Sequence, residues 1–177
     1  MRDLVELAKL IAEQNVIGRS ISEIIGRSHS IGHAGEYIAG QIFDIELHAA
    51  GNAPGSDGRF RSGPLKGASV NVKWYARLET LDINPKAVPD YYLVLAGPRA
   101  SAGTQVHIRP WVIANVYLFP GPQLHDELKA RGVKLGIGTS LLRSQWESGE
   151  LYPKRTCKLY PLSPEQHDAL GLFRDGT

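Results

Sequence analysis

The N-terminal third of the chain carries the signals of three helices. Apolar residues at helical spacing predict the first over about residues 3–14, namely Leu4, Leu7, Ala8 and Ile11. Ser20 and Glu23 have the spacing of a capping box, which predicts a separate short helix that ends near Gly26. The third helix is predicted over about residues 32–43, with an apolar stripe made by Ala34, Ile38, Ile42 and Ile45. Glu36 falls on the side of this helix opposite the stripe.

The middle of the chain changes to the period of a β-strand. Val70, Val72 and Trp74 alternate with Asn71 and Lys73, which predicts a half-buried strand with an amide and an ammonium on one face. A continuous apolar run predicts a neighbouring central strand that is buried on both faces. This strand covers residues 90–96, and further short strands are predicted over 105–112 and 116–119.

The C-terminal part predicts more helices. One is expected over residues 123–130, a turn at residues 136–140 leads into another, and Ser163, with Pro164 and Gln166, caps the last. Strands flanked by helices predict an α/β fold with a central mixed sheet of about four or five strands. The length of 177 residues suits a single domain over residues 1–177.

The composition is that of a globular protein that does not insert in a membrane. The hydrophobic fraction is 42%, and no apolar run approaches the roughly 20 residues that a membrane helix needs. The first residues lack the basic start and apolar block of a signal peptide, and the single cysteine, Cys157, can form no internal disulfide. We therefore expect a cytoplasmic protein.

Charge is distributed unevenly, although the net charge is only +2. Residues 1–57 hold 4 basic and 8 acidic side chains, whereas the remainder holds 16 and 10. The stretch 58–78 contains no acid and five bases, namely Arg59, Arg61, Lys66, Lys73 and Arg77. Such a cluster suits a polyanion, because basic side chains bind phosphates. The alternative is that these are solvated loop charges.

One aspartate is expected to join the polar face of the predicted strand. Asp57 comes just before a predicted hairpin with its tip at residues 62–64, and a hairpin of this length folds it back beside Asn71 and Lys73. The side chains of these three residues are therefore expected to meet at one spot.

This pattern resembles the metal site of the PD-(D/E)XK nuclease superfamily, the fold of many restriction endonucleases. In that superfamily an acidic residue is followed by acid-x-Lys on the next strand. Asp57 matches the first acid, and the segment from Asn71 to Lys73 stands where the acid-x-Lys occurs. Some members take a further carboxylate from the preceding helix, where this chain has Glu36.

The resemblance implies a restriction-endonuclease-like fold and a DNA endonuclease that depends on Mg²⁺, with Mn²⁺ as a substitute. Its ligands would be Asp57, Glu36 and Asn71, while Lys73 would orient the attacking water or the phosphate. Contacts to DNA would come from the basic residues Arg59, Arg61, Lys66 and Arg77. Cutting both strands would require a homodimer.

The chain departs from the superfamily at Asn71, which offers a neutral oxygen in place of a carboxylate. This departure keeps a second function open: a nucleic-acid-binding or protein-interaction domain that retains the fold without the metal. Other site chemistries find less support. His29 and His33 are four residues apart but have no third zinc ligand in view, and no Gly-x-Ser-x-Gly motif of a serine hydrolase occurs.

Overall fold

The computed structural model describes residues 2–49, 54–99 and 109–174, and these form an α/β fold of five helices and one mixed six-stranded sheet. The helices are α1 (Arg2–Ile25), α2 (Ile31–Phe43), α3 (Gly121–Ala130), α4 (Arg143–Gly149) and α5 (Pro164–Gly171). The strands are β1 (Ile45–Leu47), β2 (Gly58–Phe60), β3 (Ser69–Tyr75), β4 (Tyr91–Ala96), β5 (Asn115–Pro120) and β6 (Glu150–Tyr152). No helix in the described ranges is long and apolar enough to cross a membrane.

The strands lie in the sheet in chain order. Neighbouring strands are antiparallel except β3 and β4, which are parallel and are joined by the long connection that a parallel pair requires, over residues 76–90. The α/β class and the mixed sheet are confirmed. The sheet has more strands than predicted because β1, β2 and β6 have three residues each, too few to show a period.

The two faces of the sheet pack against two separate hydrophobic cores. In the parallel register Val70, Val72 and Trp74 lie beside Tyr91, Leu93 and Leu95, and α2 covers this face. Tyr92 and Val94 belong to the other core, which the 76–90 connection, α3 and α4 complete. The predicted burial of β4 on both faces is confirmed. For β3, the predicted alternation holds for the buried Val70, Val72 and Trp74 and for Lys73, which is partly exposed, but Asn71 on the polar face is only 8% exposed.

Helix α1 is continuous where the sequence predicted a break. The hydroxyls of Ser20 and Ser22 donate to the carbonyls of Val16 and Gly18, one turn earlier, so Ser20 does not cap a new helix. The helix ends before Gly26, whose φ of +67° suits a glycine stop. The predicted apolar stripe on this helix is largely exposed, at 64% for Leu4, and Gly18 is its one buried residue.

The other helices agree closely with the sequence. The hydroxyl of Ser30 accepts from the backbone N–H of His33 and starts α2. Gly35 of α2 lies so close to β3 that an added Cβ would stand 2.8 Å from the Cβ of Trp74. Ser163 and Gln166 form the predicted capping box of α5. Of the strand predicted over 105–112, residues 105–108 lie outside the described ranges, and 109–112 are not strand.

Candidate functional site

Asp57 lies where β2 separates from β3. The two strands pair only at Gly58 with Val70 and at Arg59 with Ser69. Beyond that point the backbone N–H of Asp57 donates to the Val70 carbonyl at 2.9 Å, and its carboxylate Oδ2 accepts from the backbone N–H of Val72 at 2.7 Å. The Asp57 carboxylate thus accepts a hydrogen bond from a backbone N–H of β3 that β2 does not pair with. This bond, with the backbone bond from Asp57 to Val70, fixes the position of the side chain.

The carboxylate of Asp57 lines a cavity of about 250 Å³ together with Glu36, Arg27, His33, His48 and Ser56, which we call the Asp57 pocket. Burial and the neighbouring Glu36 carboxylate raise the pKa of Asp57. The Val72 N–H and the charges of Lys73 and Arg27 oppose this rise. Two carboxylates from distant parts of the chain are therefore close enough to influence each other.

Glu36 does not face open solvent. Its side chain is 17% exposed and forms an ion pair with the guanidinium of Arg27, which lies in the turn between α1 and α2. Because the Arg27 charge also acts on Asp57, one cation already interacts with both carboxylates of the pocket.

Asn71 and Lys73 line a different cavity, of about 160 Å³, which we call the Lys73 pocket. Its other polar lining residues are Asp82 and Asn84 from the 76–90 connection, with Tyr92 and Gly55 forming further walls. The two pockets adjoin along the chain, because Gly55 lines this one and Ser56 lines the Asp57 pocket.

The four predicted site residues are thus divided, Asp57 and Glu36 in one pocket and Asn71 and Lys73 in the next. The division follows from the strand. Alternate residues of β3 point to opposite faces, and Asp57 reaches the backbone of Val72, which lies between Asn71 and Lys73. Lys73 remains close enough to Asp57 to lower its pKa.

Sequence reasoning missed Arg27, Asp82, Asn84 and Tyr92. Arg27 falls between two predicted helices, so the sequence predicts no neighbour for its side chain. Asp82 and Asn84 lie in a connection without hydrophobic periodicity, and nothing in their spacing shows that it folds back over β3. Tyr92 was predicted as buried, and its parallel register opposite Asn71 places it in this pocket.

The predicted nucleic-acid contacts have different surroundings. Arg59, Arg61 and Lys66 are exposed on the β2–β3 hairpin, where Arg61 pairs with Asp44 and Arg59 donates to the Gly67 carbonyl at 2.8 Å. Lys66 makes no salt bridge within the described ranges. Arg77 lies beyond the far end of β3, its Nε 2.8 Å from Glu79 Oε1 without hydrogen-bond alignment.

The Asp57 pocket has a donor set that fits a hard divalent cation. Mg²⁺ is commonly bound by one or two carboxylates, with waters and substrate phosphates as the other ligands. Asp57 and Glu36 would supply two carboxylates, and the guanidinium of Arg27 shows that the pocket already accommodates positive charge. In the described part of the chain, no group of three or more His, Cys, Asp or Glu side chains is arranged to hold a metal ion, but a magnesium site does not require three.

Comparison of the chain with models of protein families and with curated proteins found no match.

Proposed function

We propose that this protein is a metal-dependent nuclease that hydrolyses phosphodiester bonds of DNA at the Asp57 pocket. The observation that carries the proposal is the approach of two carboxylates, Glu36 from α2 and Asp57 from the edge of the sheet, with the Lys73 ammonium near enough to act on Asp57. This arrangement agrees with Asp57 as the first acid and Glu36 as the helix glutamate of the pattern, whereas Asn71 stands where its second acid would be.

The residues have separate roles in this proposal. Asp57 and Glu36 would hold Mg²⁺, which when bound lowers the pKa of the attacking water and neutralises charge on the phosphate. Lys73 lies near enough to Asp57 to lower its pKa and would attract the phosphate. Asn71 accompanies Lys73 in the neighbouring pocket and contributes a neutral amide.

The exposed basic side chains of the β2–β3 hairpin would bind the DNA backbone next to this centre. We expect contacts to phosphates, which are independent of base sequence, from Arg59, Arg61 and Lys66. Their contribution is therefore to the affinity for DNA and to its dependence on salt. A cut through both strands would require two copies of the chain.

The second candidate function is a nucleic-acid-binding domain without catalysis. The ion pair between Arg27 and Glu36 favours it, because this pair gives the Glu36 carboxylate a partner without a metal. The neutral Asn71 points in the same direction. If the protein has this second function, the folded domain binds no divalent ion at the Asp57 pocket.

The test measures cleavage and thermal stability together. Plasmid DNA, linear DNA and RNA are incubated with the purified protein in Mg²⁺, in Mn²⁺ and in EDTA, and Tm is recorded under each condition. We expect metal-dependent cleavage and a metal-dependent rise in Tm, both lost in Glu36→Gln and kept in Glu23→Gln, a matched change at an exposed position on α1. Absence of both cleavage and the Tm rise in the parent protein would select the binding domain.

A further inference from the structure

We propose that the Lys73 pocket binds a phosphorylated sugar, the unit from which nucleic-acid backbones are built. This inference goes beyond hydrolysis, because such binding needs neither a metal ion nor cleavage of a bond. A domain without nuclease activity would bind the same ligand.

Lys73 provides the positive charge. Its side chain is partly buried on β3, and it makes no salt bridge or side-chain hydrogen bond to any residue in the described ranges. Asn71 beside it is 8% exposed, and its amide likewise makes no side-chain hydrogen bond among those residues. Both side chains line the pocket, so they can donate to an external acceptor such as a phosphoryl group.

Asp82 limits which anions can enter. Its Oδ1 accepts from the backbone N–H of Gly138 at 2.8 Å, and its own backbone N–H donates to the Tyr75 hydroxyl at 2.8 Å, so the carboxylate is held firmly. A negative charge in the pocket disfavours a bare anion and favours a ligand that also brings an O–H donor. A sugar hydroxyl next to a phosphoryl group meets both requirements.

The walls of the pocket are fixed before any ligand arrives. Tyr92 is 1% exposed, and its hydroxyl is hydrogen-bonded to Nε2 of His125 at 2.9 Å. On the other side Gly55, with φ +76°, lies so close to Ala87 that an added Cβ would stand 2.4 Å from the Ala87 carbonyl oxygen. Rigid walls reduce the entropic cost of binding a small ligand.

The size of the pocket suits a small ligand. Its volume is about 160 Å³, and it is open to solvent on one side. That space can take one phosphoryl group with its sugar. The ligand is therefore a free phosphosugar or the terminal nucleotide of a strand.

The experiment titrates ribose 5-phosphate, inorganic phosphate and ribose into the full-length protein in EDTA, with binding followed by NMR shifts of backbone amides. We expect ribose 5-phosphate to bind most tightly and to shift amides around Lys73 and Asp82. Lys73→Met is expected to weaken ribose 5-phosphate about 10- to 100-fold, the loss typical of one hydrogen bond to a charged group. Asp82→Asn, which keeps the acceptor for Gly138, is expected to abolish the preference for ribose 5-phosphate over phosphate.

Two matched controls accompany these variants: Lys9→Met removes an exposed lysine of α1, and Glu79→Gln removes a carboxylate of the same connection as Asp82. Both are expected to bind ribose 5-phosphate as the parent does. The proposal is overturned if the shifts occur only around the hairpin, or if correctly folded Lys73→Met and Lys73→Arg both bind like the parent. Because EDTA excludes metal, failure of the nuclease proposal leaves this result unchanged, and failure here leaves metal-dependent cleavage unaffected.

Discussion

The Asp57 pocket and the Lys73 pocket lie on either side of one strand and differ in how their charges are satisfied. In the first, Asp57 accepts from a backbone N–H and Glu36 pairs with Arg27. In the second, the described residues provide no ion pair for Lys73 or Asp82. The acidic residues of the first pocket therefore serve the fold as well as any chemistry, whereas the second pocket is arranged for a ligand.

This difference shows that the burial of a charged side chain does not by itself tell whether the side chain stabilises the fold or binds a ligand. Removal of Asp57 would leave the backbone N–H of Val72 without its acceptor, so stability and the proposed catalysis should both decrease. Removal of Lys73 would take away a partly buried charge and is expected to leave the fold intact. Stability and function are thus coupled in the Asp57 pocket and separable in the Lys73 pocket.

The largest expected effect is the loss of stability in Asp57→Ala. The backbone N–H of Val72 would lose its acceptor, which costs about 1–3 kcal/mol of unfolding free energy. Asp57→Asn retains an acceptor oxygen and is expected to lose less, and Lys73→Ala should change the unfolding free energy by no more than about 0.5 kcal/mol. Urea denaturation measures all three. Equal losses in Asp57→Ala and Lys73→Ala would contradict the difference between the pockets.

The next effect concerns Asn71→Asp. A carboxylate at this position would lie in the Lys73 pocket with Asp82 and offer Lys73 an internal partner, so affinity for ribose 5-phosphate should fall about tenfold, equivalent to about 1.4 kcal/mol. The Mn²⁺ concentration needed for cleavage should stay the same, because Asn71 does not line the Asp57 pocket. A lower Mn²⁺ requirement would instead show that Asn71 belongs to the metal site.

A smaller effect is expected from the ion pair of the Asp57 pocket. The side chains of Arg27 and Glu36 are 34% and 17% exposed, so solvent screens part of their attraction. A double-mutant cycle with Arg27→Gln and Glu36→Gln should give a coupling of about 0.5–1 kcal/mol in EDTA. The pair Arg143 and Glu147, exposed on α4, serves as the control and should give less. A coupling free energy of zero between Arg27 and Glu36 would mean that their ion pair does not stabilise the folded protein.

The smallest expected effect is the contribution of Asp57 to the pH dependence of the unfolding free energy. Burial and Glu36 raise its pKa above the ordinary value of 3.8, so the folded protein holds this proton more tightly than the unfolded chain. The resulting stabilisation is complete below 3.8 and is lost as pH rises through the raised pKa. The unfolding free energy of the parent should therefore fall relative to that of Asp57→Asn across this window. A rise across it would mean that the hydrogen bond from Val72 and the nearby cations outweigh burial.

Much of the fold could be predicted because its elements carry local signals. The alternation around Val72, the apolar run of β4 and the capping box at Ser163 each determine structure within a few residues. The continuity of α1 could not be predicted, because the hydroxyls of Ser20 and Ser22 can either cap a helix or bond back within it. The burial of Asn71 depends on a connection that folds back over the sheet, which no local pattern reveals.

The site could be predicted only in part for a similar reason. Spacing showed that Asn71 and Lys73 share a face and that Asp57 returns to the same strand. It could not show that the carboxylate of Asp57 bonds to the backbone of Val72, which separates it from Asn71. Nor could it show Arg27 beside Glu36, since that contact depends on how the turn after α1 packs on α2.

A crystal structure of the protein soaked with Mn²⁺ tests the proposed metal centre most directly. We expect an anomalous difference peak bound by Asp57 and Glu36, with the guanidinium of Arg27 displaced from Glu36. An intact pair of Arg27 and Glu36 without a peak in that pocket, at a Mn²⁺ concentration that saturates any change in Tm, would contradict it.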